Sequence, residues 1–283
     1  MPNIQACKRS IFPQKSIMNK LQSISTDLYY TFKRKIVKQT LLNLLFVRYK
    51  CRKIWIGGPG CGFYICPDIL PSREKPSTNS TGSLAMGICY SAGVGDDTTF
   101  DFTLHEKFAM REIHLFDPTP MTIDWIARQN LPEEFSFHPF GLSGASGTTE
   151  FYLADTTEAS SSASSSMIAD GNSGVSKERT ILIQVSSLGD IAKMHGHQFV
   201  DVLKMDIEGS EFDVIENLRD LDGLRFGQIC VEFHHRFFPD HWRVLRKAIK
   251  TLSDCGYKCF AVNWNIMEFS FINARLSDDI KRR

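Results

Sequence analysis

The sequence predicts an α/β fold: a doubly wound, mostly parallel sheet that closes with an antiparallel C-terminal hairpin and follows an N-terminal helical extension. Three strand ends carry this prediction. Val202-Leu203-Lys204-Met205-Asp206-Ile207-Glu208-Gly209-Ser210-Glu211 reads as a buried strand running out into carboxylates around a glycine, then into a helix. Tyr90-Ser91-Ala92-Gly93-Val94-Gly95 upstream and Val231-Glu232-Phe233-His234-His235 downstream end two further strands. Open α/β sheets hold ligands beyond the carboxyl ends of their strands. Acids and glycines gathered there are therefore candidate site residues, and together they point to a nucleotide-type cofactor site.

Each element follows from local pattern. Scattered helical periodicity over residues 16–50 (Ile17, Leu21, Ile24, Leu28; then Ile36, Leu41, Leu44, Leu45) predicts one or two helices. Trp55-Ile56 and Phe63–Cys66 flank Gly57-Gly58-Pro59-Gly60 as a small hairpin, and the polar stretch Pro71 to Gly82 is a linker. The core then alternates strand and helix: Met86–Tyr90, helix Phe100–Phe108, Glu112–Phe116, helix Ile123–Gln129, Phe135–Phe140. An insertion with strands Thr148–Leu153 and Ile181–Val185 encloses a serine-rich tract, residues 154–180, read as a flexible linker or, alternatively, a lid over a site. Helix Ser187–His195, strand Val200–Met205, helix Glu211–Leu218 and strand Ile229–Phe233 continue the alternation. Ser210 stands as N-cap of the helix from Glu211, with Asp213 three residues on. The stripe Trp242, Leu245, Ala248, Ile249, Leu252 is a core-facing helix, and Tyr257–Val262 with Glu268–Ile272 forms the closing hairpin.

Composition narrows the partners. The 283 residues suffice for one large α/β domain, residues 54–283, plus an extension, residues 1–53, and 42% hydrophobic content supports an ordinary core. A formal charge of +1 gives no global case for nucleic acid. The extension is nevertheless basic, with twelve Lys and Arg against one acid, Asp27, and offers a weak peripheral contact with a membrane surface or anionic partner. The start lacks the apolar core of a secretory signal, and the run Leu41 to Val47, broken by Asn43, is far short of the ~20 residues of a membrane span. None of the eight cysteines forms a CxxC pair, so zinc is not expected, and without an export signal a cytoplasmic protein with reduced thiols is. The sequon Asn79-Ser80-Thr81 then carries no weight.

The chemistry sits at the strand ends. Glycine in Ser91-Ala92-Gly93-Val94-Gly95 permits a tight turn and close backbone approach to a ligand, and the following helix start supplies free N–H groups. Asp117 ends the next strand, about 20 residues past the glycines, where an acid grips ribose hydroxyls. Thr98 stands where a dinucleotide fingerprint has its third small residue, which weakens a nicotinamide reading.

Four segments together resemble FkbM-type S-adenosylmethionine-dependent methyltransferases. They are Tyr90-Ser91-Ala92-Gly93-Val94-Gly95-Asp96-Asp97, His114-Leu115-Phe116-Asp117-Pro118-Thr119-Pro120, Leu203 through Glu211, and Val231-Glu232-Phe233-His234-His235-Arg236-Phe237. The similarity runs over roughly residues 54–275, and the KxDxEGxE pattern is its most distinctive piece. It implies a class I methyltransferase (Rossmann-like) fold with a seven-stranded sheet, and S-adenosyl-L-methionine as cofactor. Tyr90, Ser91, Gly93 and Gly95 would then line the methionine and ribose side, Asp117 with Pro118 would bind the ribose, and Leu142 and Ser143 would neighbour the adenine. Ser91 replaces the first glycine of the commoner loop, and no acid follows the third strand. Adenine recognition is thus expected from backbone and apolar contact.

Methyl transfer from a sulfonium is an in-line displacement, so positioning supplies much of the acceleration. A hydroxyl acceptor must also lose its proton. Asp206 is placed near the methionine amino group or the methyl-transfer centre, and Glu232 and His234, two apart on one strand face, are the candidate bases. A divalent metal bridging Asp206, Glu232 and His234 is conceivable but not favoured, and no metal ligand is assigned. The expected reaction is O-methylation of a sugar or small natural product. The alternatives are a catalytically silent relative that binds a partner, and a nicotinamide-dependent oxidoreductase.

Overall fold

A computed structural model describes residues 35–58, 61–72, 86–154, 175–221 and 223–276. The expected helices before residue 35, the sequon at Asn79 and the serine-rich tract lie outside the described residues. Helix α1 (35–46) buries Leu42 against the main core, and just beyond it the Arg48 and Tyr49 N–H groups donate to the Cys259 carbonyl at 2.8 and 3.1 Å. The described part of the basic extension is thus built onto the sheet edge.

The chain continues through the antiparallel hairpin β1 (Ile54–Ile56) and β2 (Phe63–Ile65). The first half of the core is β3 (Ile88–Ala92), α2 (Thr99–Lys107), β4 (Glu112–Phe116), α3 (Pro120–Ile126) and β5 (Phe135–His138). A side sheet follows, of β6 (Gly141–Leu142), β7 (Gly147–Ala154) and β8 (Val175–Ser186). The second half is α4 (Leu188–His195), β9 (Phe199–Met205), α5 (Glu211–Glu216), β10 (Arg225–Glu232), α6 (His241–Asp254), β11 (Tyr257–Val262) and β12 (Glu268–Asn273).

Seven strands form the main sheet in the order β11-β12-β10-β9-β3-β4-β5. β12 is antiparallel to both neighbours, and the other pairings are parallel. Strand order reverses between β3 and β9, which opens a crevice at their carboxyl ends. β9 and β10 are buried on both faces, which is why they read as nearly continuous apolar runs. On one face Tyr90, Leu203, Met205 and Val231 pack against Ile191 of α4, Ile215 of α5 and Leu245 of α6. On the other Cys89, Ile113, Val202 and Cys230 pack against Phe100 and Leu104 of α2 and Phe63 of the hairpin. Full burial of one such Leu or Phe contributes about 1.5–3 kcal/mol. Gln228, fully buried in β10, answers its own desolvation by bonding both ways to Cys66, accepting from its N–H at 2.6 Å and donating to its carbonyl at 3.1 Å.

Several expectations shift. α3 starts three residues early because Pro120 occupies its first turn, where the missing N–H costs nothing. The third strand stops at His138, and Gly141-Leu142 pairs instead with β8 in the side sheet. The first strand starts at Ile88, where Asp201 on β9 accepts the Ile88 N–H at 2.9 Å.

Candidate active site

The glycine loop is built from backbone outward. Gly93 has φ +79°, and a Cβ there would overlap the Asp206 carbonyl oxygen, so only glycine closes this turn. Its N–H donates to the Phe116 carbonyl at 3.0 Å, and the Asp206 N–H donates to Ala92 at 3.0 Å, joining three strand ends. Asp117, 4% exposed, holds the loop: its Oδ2 accepts from Val94 and Gly95 N–H, each at 2.9 Å, and its Oδ1 accepts from Thr119 N–H at 2.8 Å. Oδ1 retains one lone pair for a ligand hydroxyl. Gly95, at φ +58°, has open space where a side chain would stand.

Beside the loop lies an acid-rich cluster around one imidazole. His234 Nε2 is 3.2 Å from Glu208, 3.8 Å from Asp206 and 3.9 Å from Glu232, and its Nδ1 is 3.4 Å from Glu211. Glu211 has no exposed surface; its carboxylate accepts the His234 N–H at 2.6 Å and the Gly209 N–H at 2.8 Å. Glu208 takes a left-handed conformation, φ +51°, which turns the chain through Glu208-Gly209 and folds its carboxylate back onto the ring. Burial works against the His234 cation, but Glu211, Glu208 and Asp206 overcome it and raise the ring to about 10. Burial, reinforced by Asp206 and offset by His234, lifts the Glu232 carboxyl to about 8. Glu268 on β12 pairs across from Glu232, adding a like charge that burial also raises. Asp206, Glu232 and His234 each offer a ligand atom within 4.8 Å of the others, so the same trio could hold a divalent cation.

The profile of the methyltransferase FkbM domain matches residues 55–259. This chain belongs to the FkbM methyltransferase family. A crystallised FkbM methyltransferase from Methylobacillus flagellatus KT is 14% identical over 65% of this chain and 43% of that chain, with a TM-score of 0.40. Aeropyrum pernix fibrillarin, crystallised with natively bound S-adenosyl-L-methionine, is 13% identical over 65% of this chain and 64% of that chain, with a TM-score of 0.35. The chain thus spans less than two thirds of either structure's length. A comparison with curated proteins finds no match.

The residues of this FkbM chain fit the family's cofactor at the loop. Gly93 lets the loop close tightly against Asp206, Gly95 opens outward, and the second-strand acid keeps an acceptor free. Pro118 and Gly141 adjoin: a Cβ on Gly141 would lie 3.4 Å from Pro118 Cγ, so Leu142 and Ser143 follow directly from the Asp117-Pro118 corner. Ser143 donates its N–H to Ser186 at 3.1 Å.

Not every expected residue faces the loop. The Tyr90 ring turns to the opposite layer, where its hydroxyl meets His197 Nδ1 at 2.8 Å. Ser91, fully buried, faces Asp101 on α2. The two side chains lie on opposite faces of β3, because alternate strand residues point to opposite faces. Ser210 makes no capping hydrogen bond; Glu211 takes the Gly209 N–H instead. Sequence reasoning passed over Lys204, which is 3% exposed, donates from Nζ to the Gly93 carbonyl at 2.5 Å and sits beside Asp101. Burial raises Asp101 to about 6 despite that lysine. A lone lysine inside Val202-Leu203-Lys204-Met205 was the available signal, since a charge in a buried strand must have partners.

Proposed function

We propose that this protein transfers the methyl group of S-adenosylmethionine to a hydroxyl oxygen of a sugar or small natural product. One observation carries the reading: Asp206 both covers the glycine loop with its carbonyl and presents its carboxylate to the His234 cluster, so cofactor loop and proton acceptors share one crevice. The cofactor, when bound, supplies an electrophilic methyl on a sulfonium. Gly93, Gly95 and Asp117 hold it; Pro118 and Leu142 border the base. An acceptor hydroxyl lying against the cluster gives its proton to Glu232. A carboxylate displaced toward neutral pH is the stronger base once ionised. His234 serves as the imidazolium that keeps Asp206, Glu208 and Glu232 together, so it is a positioning residue rather than a base.

The acceptor side is supported by an open cavity of about 590 Å³ lined by Arg236, Phe237, Phe238, Pro239 and His241. It shares Phe237 with the site, whose ring lies 5.2 Å from that of His234. Aromatic faces with one guanidinium suit a hydroxylated ring. None of the described helices is long and apolar enough to cross a membrane.

The test is calorimetric titration of the purified protein with S-adenosylhomocysteine. Saturable one-to-one binding is expected, weakened at least about tenfold in Asp117→Ala, because its loss frees three backbone N–H groups of the loop. Circular dichroism confirms that the variant is folded. Absence of binding by the wild type overturns the reading.

A further inference from the structure

Half of the chain's eight histidines converge on the α4 side of the main sheet. They are His114 on β4, His138 at the end of β5, His195 at the end of α4 and His197 in the turn to β9, with Glu112 in contact with His114 and His197. The His114 and His195 rings lie 4.2 Å apart between centroids, and His138 is 5.2 Å from His195. His114 Nδ1 and His138 Nε2 are 3.1 Å apart, close to the spacing of two nitrogens on one tetrahedral ion with bonds of about 2.0–2.1 Å. One nitrogen from each of His114, His138 and His195 falls within 4.8 Å of the others. His195 Nε2 is buried and has no hydrogen-bond partner among the described residues.

The surrounding bonds fix the tautomers. The Tyr90 hydroxyl, 2.8 Å from His197 Nδ1, donates to it, which leaves His197 Nε2 protonated to donate to Glu112 at 3.1 Å. His114 Nε2 donates to the same carboxylate at 3.2 Å, and its Nδ1 lone pair then faces His138 and His195. An imidazole oriented by a carboxylate on its far nitrogen is the usual outer-shell arrangement of a metal-bound histidine.

We infer that His114, His138 and His195 form a site for a borderline divalent ion such as zinc, with Glu112, His197 and Tyr90 as its outer support. Three imidazoles leave the fourth position to water, reached past the partly exposed His138 and His195. The ion replaces the proton shared by His114 and His138, which passes to His138 Nδ1 or to solvent. It ties β4, β5 and the end of α4 together. The ligands are 24 and 57 residues apart, so no short motif announces them.

Chelator-stripped full-length protein is titrated with Co²⁺, followed by visible absorption, and then competed with Zn²⁺. One equivalent giving the intense bands of four-coordinate nitrogen ligation is expected. It should be lost in His138→Ala/His195→Ala, retained in Asp206→Asn/Glu232→Gln, and weakened about 10–100-fold in Glu112→Gln. Circular dichroism verifies that each variant is folded. Where the double variant does not fold, His195→Ala alone, at a partly exposed helix end, decides the matter. Absence of the bands, or bands that follow the carboxylate variant and not the histidine variants, overturns the site.

Discussion

His114 and His234 are equally hidden, each with 5% of its side chain exposed, yet their surroundings drive them in opposite directions. Burial pulls both toward the neutral ring. Around His234 stand Glu211, Glu208, Asp206 and Glu232, and they carry it up to about 10. Around His114 stand His195 and His197 with only Glu112 to oppose them, and the ring stays below its ordinary value. One imidazole among carboxylates becomes a fixed cation that gathers anions. The crowded imidazoles of His114, His138 and His195 remain lone-pair donors. Burial raises the stakes of each site, and the sign of the neighbours decides what the site can do.

The comparison breaks most visibly at Glu211. It is the least exposed of the acids and holds both the His234 N–H and the turn at Gly209. Removing one partner of a buried pair leaves the other uncompensated, so Glu211→Ala should lose about 3–5 kcal/mol in denaturant unfolding. A loss under about 1 kcal/mol would mean that His234 owes its charge to Glu208 and Asp206 instead.

A second, smaller effect sharpens the charge argument. Glu232 has its folded value raised from 4.5 to about 8, so its contribution to stability is fully present below about pH 4.5 and is lost as pH rises through 8. His234, raised from 6.5 to about 10, acts in the same direction over the higher window, 6.5 to 10. Chelator-treated protein should therefore lose stability steadily from pH 5 to 10. Glu232→Gln should flatten the portion below pH 8, on the order of 1–3 kcal/mol. An unchanged slope in the variant would assign the pH dependence elsewhere.

The two clusters also differ in how far the sequence reveals them. The sheet was readable because its strands are mostly apolar runs of four to eight residues, several with glycine or acid at their ends. The crevice was readable because Asp206, Glu232 and Asp117 stand at strand ends, and a parallel sheet brings those ends together whatever the loops do. Side-chain direction was harder: a shift of the first strand from Met86–Tyr90 to Ile88–Ala92 leaves Tyr90 and Ser91 inside it, facing opposite layers. Glu211 looked like a helix-start acid, and only the return of the chain at His234 shows it to be a buried acceptor. The imidazole cluster had no local signal at all, since its members meet only through the pairing of β4 with β5 and the packing of α4 beneath them.

The mildest test falls at the join between core and imidazole cluster. Tyr90 is fully buried in β3, its ring edge-on to both His114 and Phe116, and its hydroxyl reaches His197. Tyr90→Phe keeps the ring and deletes one hydrogen bond, which predicts a loss of about 0.5–1.5 kcal/mol. The His197 ring then loses its donor at Nδ1 while Glu112 still accepts from Nε2, so the tautomer holds. The Nδ1 shift of His197 should move with the loss of that hydrogen bond, while the nitrogen shifts of His234 stay put. If instead the His234 signals respond, the two clusters communicate through the sheet, and their opposite charge states are not set by local neighbours alone.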